Sequence, residues 1–441
     1  MSLQTPQQIR NLQRKLYLKA KQEPTFRFYL LYDKVHRPDI LHHAYLLCKA
    51  NGGAPGVDGE TFGRIEESGR QEWLERLGKE LCDRTYKPQP VRRVMIPKPG
   101  GGERPLGIPT IRDRVAQTAA VLVLEPIFEA EFADEAYGYR PRRSALDAVK
   151  AVHQSLKAGY TQVVDADLSK YFDTIPHRDL MRSVARRVVD RNMLRLIRMW
   201  LKVPVEETDD RGNKRMSGGR RNKMGTPQGG VISPLLANLY MHRFLRYWHR
   251  CGMGEKLAAR IVNYADDFVI LTRGKAHEAM EWTAGVMDRL GLTLNKTKTC
   301  VRDAWKERFN FLGYCFGVLV DHRVGERYMG ACPSEKSVER MKRKLHEVLD
   351  PWNTGPWEMV AGQVNRVLIG WSNYFSHGTL KAAYRAVDNQ VYDRVRHFLR
   401  RRHKIKSGGT SLLPSGKSLR AWGIVRLLDV RMLRRHAHAS G

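Results

Sequence analysis

Tyr264-Ala265-Asp266-Asp267 lies between Arg260-Ile261-Val262-Asn263 and Phe268-Val269-Ile270-Leu271, so two adjacent acids sit at the tip of two apolar stretches. The pattern predicts a β-hairpin whose turn presents carboxylates. Like charges at contact distance repel, and a cation relieves that repulsion. A lone Asp-Asp turn is often only a solvated surface feature, so the reading needs a second acidic segment. Thr161-Gln162-Val163-Val164-Asp165-Ala166-Asp167-Leu168 supplies it as a predicted strand, followed by Ser169-Lys170-Tyr171-Phe172-Asp173. With a side-chain period of two, Asp165 and Asp167 share one face. Pairing of this strand with the hairpin would bring the acids together as ligands for divalent metal.

The 441 residues carry 77 Lys and Arg against 46 Asp and Glu, a formal net charge of +31. An excess of that size fits a polyanionic partner and binding that weakens steeply with salt. A metal site in such a basic chain points to phosphoryl transfer on nucleic acid. No run approaches the length of a membrane span; Ala119-Ala120-Val121-Leu122-Val123-Leu124 has core-helix length. Met1-Ser2-Leu3-Gln4 lacks the layout of a secretory signal. Six cysteines (48, 82, 251, 300, 315 and 332) are scattered without a C-x-x-C pair. That spacing argues against a zinc module or disulfide framework and for a reducing cytoplasm. His42-His43 reads as helix surface, and His436-Ala437-His438 as a solvated tail.

Residues 1–50 read as helical and basic, ending at the turn-rich Asn51-Gly52-Gly53-Ala54-Pro55-Gly56-Val57-Asp58-Gly59. A helix over 65–84 precedes a strand, a glycine turn and a returning strand between Val91 and Pro109. Helices are predicted at 111–131, 144–158, 177–201, 233–250, the last with Ser233 as cap and Pro234 in its first turn, and at 276–290. Strands are predicted at 292–300 and 308–317. From about 334, Val338, Met341, Leu345 and Val348, then Val360, Val364, Leu368 and Trp371, then Leu380, Tyr384, Val387, Val391, Val395 and Phe398 recur at helical spacing. Three amphipathic helices with basic exteriors make a small bundle. Arg400-Arg401-Arg402-His403-Lys404-Ile405-Lys406 beside it reads as a nucleic-acid contact.

From about Gly53 to Lys406 the chain resembles the bacterial group II intron-encoded reverse transcriptases, or maturases. The motifs, in order, are Gly53-Ala54-Pro55-Gly56-Val57-Asp58-Gly59, Ile96-Pro97-Lys98 through Arg104-Pro105-Leu106-Gly107-Ile108-Pro109, and Tyr137-Gly138-Tyr139-Arg140-Pro141-Arg142-Arg143-Ser144. Asp167-Leu168 with Phe172-Asp173, Gly225-Thr226-Pro227-Gln228-Gly229-Gly230 with Ser233-Pro234-Leu235-Leu236-Ala237-Asn238, and the Tyr264 hairpin follow. Leu294-Asn295-Lys296-Thr297-Lys298-Thr299, Phe311-Leu312-Gly313-Tyr314 and Gly370-Trp371-Ser372-Asn373-Tyr374-Phe375 complete the set. Any one is weak, but the ordered set is specific.

The resemblance implies an α+β right-hand polymerase: fingers and palm with antiparallel sheet, a helical thumb, and a short basic C-terminal segment. The corresponding divisions are 1–50, 51–160 (fingers), 161–325 (palm with the catalytic site), 326–400 (thumb) and 401–441. It implies an RNA-directed DNA polymerase that also binds and helps splice its intron RNA and acts in retrotransposition. Its partners would be an RNA template, a DNA primer or target, and dNTPs. Two Mg²⁺ ions would be held by Asp167, Asp266 and the main-chain carbonyl of Leu168, with Asp267 beside them. The residues alone leave Asp165 open as a ligand; the choice of Asp167 rests on the family's spacing to Phe172. Phe172 would sit beneath the nucleotide sugar and exclude a 2′-OH. Lys98 and Arg104 would cradle the triphosphate, Gln228 would touch the nascent pair or incoming nucleotide, and Lys298 would protonate the leaving pyrophosphate. Arg140, Arg142 and Arg143, with Arg112 and Arg114 behind them, would contact the template backbone. Residues 1–50 are assigned to RNA binding.

Many relatives continue into a DNA-binding segment and an endonuclease carrying Cys pairs. Here about forty residues follow the predicted thumb without such pairs, and no endonuclease is expected. Two other readings remain open at this point. One is a relative recruited to host defence, DNA repair or CRISPR spacer acquisition; the other is a non-catalytic RNA-binding splicing factor.

Overall fold

A computed structural model describes residues 3–97, 102–209, 211–321, 324–404 and 419–431. Its strands are β1 (Val91–Pro97), β2 (Glu103–Ile108), β3 (Gln162–Asp167), β4 (Pro204–Thr208), β5 (Lys214–Gly218), β6 (Ala259–Tyr264), β7 (Asp267–Thr272), β8 (Cys300–Asp303), β9 (Phe309–Phe311), β10 (Tyr314–Val320) and β11 (Arg327–Pro333). They form three sheets, ordered β2-β1-β4-β5, β6-β7-β3-β8 and β11-β10-β9. All pairings are antiparallel except β1 with β4. The chain is a mixed helix-and-sheet protein with antiparallel sheets.

The central sheet is apolar on both faces because each face meets a different core. Val164, Ala166, Ile261, Phe268 and Ile270 enter the large core shared with the surrounding helices. Val163, Val262, Val269 and Leu271 point the other way, onto Ala148, Val149 and Val152 of the helix Ala145–Lys157 and onto Phe309 and Phe316. Strand register follows from that alternation, since a one-residue slip would exchange the two faces.

The helix Ile111–Glu129 is the axis of the large core and is buried along most of its length. Its buried acid is satisfied: Asp113 accepts from the Tyr86 hydroxyl at 2.6 Å and the Gln89 amide at 2.9 Å, and the Trp200 indole donates to Tyr86 at 3.0 Å. The N-terminal helices Gln7–Gln22 and Pro38–Asn51 pack on this axis. Arg187, 1% exposed, ion-pairs with Glu131 at 2.9 Å and donates to the carbonyls of Ala20 and Pro24. Asp190 accepts the amides of Leu31 and Tyr32 and caps the helix Arg191–Leu201. Residues 9–48 therefore contribute to the same core as the central sheet, and His43 is buried rather than on the helix surface.

The predicted helix over 177–201 is two helices, His177–Ala185 and Arg191–Leu201, because Asp190 is occupied as a cap. Likewise 65–84 is split at Gly69 into Phe62–Glu67 and Arg70–Cys82. The helix Ser233–Arg250 has the predicted bounds and an early proline, but Ser233 donates to the Pro227 carbonyl at 2.8 Å instead of capping.

Three helices, Glu335–Val348, Trp357–Tyr374 and Lys381–Arg402, pack around Met341, Leu345, Val364, Leu368, Tyr384, Val391 and Val395. The chain then returns to this bundle, burying Leu419, Trp422, Ile424 and Leu427, with the Leu427 amide held by Asp388 at 2.8 Å. Part of the predicted basic tail is thus packed on the bundle. Ile405, Lys406, His436 and His438 lie outside the described residues. No helix among the described residues is long and apolar enough to cross a membrane.

Candidate active site

The hairpin β6–β7 turns through Ala265 and Asp266, with Tyr264 opposite Asp267. Ala265 is held at φ +58°, a conformation unfavourable for a residue with a Cβ. Neighbouring polar groups fix it there. Asn263 donates its side-chain amide to the Ala265 carbonyl at 2.9 Å, its backbone accepts from Tyr137 at 2.8 Å, and its own amide reaches the Glu135 carbonyl at 2.8 Å. Gly138 lies flush on the turn: a Cβ there would stand 2.6 Å from the Ala265 nitrogen. Asn238, from the helix that follows the Gly225–Gly230 loop, anchors the Gly138 carbonyl at 2.6 Å.

Strand β3 pairs with β7 so that Asp167 faces Asp267, Asp165 faces Val269, and the Leu168 amide donates to the Asp266 carbonyl at 3.3 Å. Asp165, Asp167 and Asp267 thus share one sheet face, with Asp266 at the adjoining turn. Burial first, then the charges of Asp165, Asp167 and Asp266, push the Asp267 carboxyl up to about 7. Burial, then the Asp167 charge, likewise raises Asp266, with Arg104 and Lys298 acting the other way. Asp165 rises to about 6, chiefly through burial. Asp167 is engaged by Lys298 Nζ at 2.9 Å and by the Asn295 side-chain amide at 3.1 Å. That hydrogen bond is the main cause holding the Lys298 ammonium above its ordinary range.

Among the described residues no three His, Cys, Asp or Glu side chains stand in metal-holding geometry. The donor chemistry nevertheless fits a hard divalent cation: crowded carboxylates, raised as acids by burial and then by one another's charge, are the oxygen ligands that magnesium takes.

Beside the acids, Phe172 is half-buried, its ring edge-on to Tyr139 with centroids 6.3 Å apart. The Gly225–Gly230 loop is fastened to this segment by Thr226 N to Phe172 O at 2.7 Å and Gly225 N to Ile175 O at 2.8 Å. Gln228 donates to Asp173 at 3.1 Å, while its carbonyl accepts the Gly107 amide of β2 at 2.6 Å. Arg104 on β2 is exposed, and its charge is felt by both Asp266 and Tyr139. Lys98 lies outside the described residues.

The arginines predicted to contact template do not behave alike. Arg140 is buried, ion-paired to Glu129 at 2.7 Å and donating to the carbonyls of Ala133 and Ala136, so it cannot contact template; it braces the loop. Arg143 pairs with Asp134 at 2.5 Å, and Arg142 is exposed at φ +60°. Arg114 is also buried, donating to the carbonyls of Pro109, Gly52 and Ala54, and clamps the Gly52–Gly59 loop. Arg112 pairs with Glu80 and lies over the Tyr86 ring. Charge alone does not separate a bracing arginine from one reaching solvent. Tyr139, Asn263 and Asn295 carried no predicted role of their own, although each lies in or beside a quoted motif.

A groove of about 700 Å³ opens between the Leu312-Gly313 turn and the bundle, lined by Arg340, Lys344, Arg366 and Trp371.

Residues 96–316 match the family described as reverse transcriptase (RNA-dependent DNA polymerase), and residues 338–413 match the group II intron, maturase-specific domain. The chain is 34% identical over 367 residues to Protein YkfC of Escherichia coli (strain K12), covering 75% of this chain and 93% of that protein. It is 36% identical over 223 residues to the group II intron-encoded protein LtrA of Lactococcus lactis subsp. cremoris, covering 50% and 35%. A putative COX1/OXI3 intron 2 protein of Saccharomyces cerevisiae is 26% identical over 296 residues, covering 55% and 34%. The matches thus span most of the first relative and about a third of each of the others.

Proposed function

Because this chain belongs to the reverse transcriptases of group II intron type, with a maturase-specific domain after the polymerase region, we propose that it extends a DNA primer along an RNA template at the carboxylate cluster of the central sheet. It is an RNA-directed DNA polymerase and maturase, and its template partner is RNA. In right-hand terms, β1 and β2 belong to fingers over 51–160, the central sheet to a palm over 161–325, and the helical bundle to a thumb over 326–400. Residues 1–50 are assigned to RNA binding, and intron RNA, a DNA target and dNTPs are the proposed partners. The observation that carries the reading is the register placing Asp167 opposite Asp267, with Asp266 at the adjoining turn.

Two Mg²⁺ ions, with Asp167, Asp266 and the Leu168 carbonyl as ligands and Asp267 beside them, would supply activation of the primer 3′-OH and charge neutralisation at the pyrophosphate. The chain's own groups do the rest. Arg104, exposed on β2, neutralises the triphosphate together with Lys98. Lys298 holds the proton that the departing pyrophosphate takes. Gln228 orients the incoming base pair from a loop tied to both β2 and the Phe172 segment. The groove beside Arg340, Lys344 and Arg366 receives the product duplex.

The test is extension of a DNA primer annealed to RNA, with dNTPs and Mg²⁺. Extension that EDTA abolishes is expected; no product with either Mg²⁺ or Mn²⁺ would overturn the reading. In the same assay, Phe172→Ala is expected to relax discrimination against rNTPs by about 10–100-fold, the range a shaped pocket wall supplies against a small group. Unchanged discrimination would remove Phe172 from the sugar site. Two of the relatives carry intron proteins' names; no observation favours recruitment to a host role.

A further inference from the structure

The loop between the first two bundle helices, residues 349–356, presents Trp352 at 88% exposure, the highest of any large apolar side chain among the described residues. The loop is held in place. Asp350 accepts the Trp352 amide at 2.8 Å, Asn353 donates to the Val348 carbonyl at 3.1 Å, and Arg402 donates to the Gly355 carbonyl at 2.7 Å. A single exposed apolar residue needs no explanation by itself. The neighbouring pocket changes the reading.

Pro351, the residue before Trp352, borders a cavity of about 260 Å³ whose lining includes Arg394, Arg401, His346, His397 and Phe398. No carboxylate lines it among the described residues. Two arginines with no acid among the lining residues give the cavity a positive wall that an anion complements. Guanidinium groups match phosphate oxygens in geometry and charge, and an indole face stacks on a base of any identity.

We propose that this end of the bundle binds an unpaired nucleotide of an RNA, its base stacked on Trp352 and its phosphate in the pocket of Arg394 and Arg401. A paired base offers no free face to an indole, so a loop or bulge is favoured over duplex. None of these residues belongs to the active site, and the inference rests on the RNA-binding part of the proposed function alone.

Filter binding of the full chain tests it, with a labelled RNA hairpin bearing an unpaired loop and a blunt RNA duplex of equal length as probes. Trp352→Ala is expected to weaken hairpin binding about 5–30-fold, the range for loss of one base-aromatic stack. Trp352→Phe keeps a stacking ring and stays within about twofold. Duplex affinity stays unchanged for both. Arg401→Ala is expected to reduce the slope of log affinity against log salt for the hairpin by about one. Wild-type hairpin binding by Trp352→Ala, or equal losses on hairpin and duplex, would overturn the site. Primer extension run alongside separates the two readings, because a protein that extends nothing leaves this binding comparison intact.

Discussion

Asp266→Ala is expected to lower single-turnover dNTP incorporation by at least about a thousandfold, the upper range for loss of one group that stabilises transition-state charge. The physical case is specific to this hairpin. Asp266 is held toward the other acids by the Ala265 turn, and its backbone carbonyl, not its carboxylate, takes the Leu168 amide. The substitution therefore leaves the strand pairing in place. It also removes one of the charges that raise Asp267, so the thermal midpoint is expected to stay level or rise. Loss of activity without loss of stability is the signature of a group kept for chemistry at a cost to folding. RNA binding is expected to remain. Less than a tenfold loss of incorporation, or activity lost in step with stability, would remove Asp266 from the catalytic set.

The same hairpin shows what a sequence makes legible. Apolar alternation on both sides of Tyr264-Ala265-Asp266-Asp267, and again through Val163 and Val164, is local information, and the strands formed there. The bundle helices were equally plain, since three apolar stripes keep one period. Strands β4 and β5 were not visible. Pro204–Thr208 and Lys214–Gly218 are polar, and their pairing is set by the edge of β1 and by Arg93–Glu207 and Lys214–Glu206 ion pairs. Strand β11 carries a glycine and ends in proline, which hid it. The strand predicted over 292–300 begins only at Cys300, because the chain before it bends around Asn295, whose amide and side chain both bond to Asp167. Arg140 and Arg142 stand two positions apart in one motif, yet one is buried against Glu129 and the other exposed. Only the tertiary position of Glu129 separates them. The acids were readable because two adjoin a hairpin turn and two keep the period of a strand; the braces were not, because any basic or amide residue in the right place serves.

Gly229→Ala is expected to raise the dNTP KM by at least about 30-fold, since displacing a positioning group by about 1 Å costs up to a hundredfold. Gly229 holds φ +104°, and a Cβ there would overlap the Gly107 carbonyl oxygen of β2. At this point the loop joins two halves of the proposed nucleotide site. Gln228 accepts the Gly107 amide at 2.6 Å on one side and donates to Asp173 at 3.1 Å on the other. A methyl group would push β2, with Arg104, away from the segment carrying Phe172. The strained φ alone costs about 1–3 kcal/mol, so stability falls too, and a control must separate the two effects. Gly212, at φ +81° in the turn between β4 and β5, has open space around a Cβ. Gly212→Ala is therefore expected to bear the strain cost while leaving KM unchanged. If both variants raise KM alike, the loss is one of general stability. If neither does, Gln228 and Arg104 do not act on the same nucleotide, and the site assembled between β2 and Phe172 is wrong.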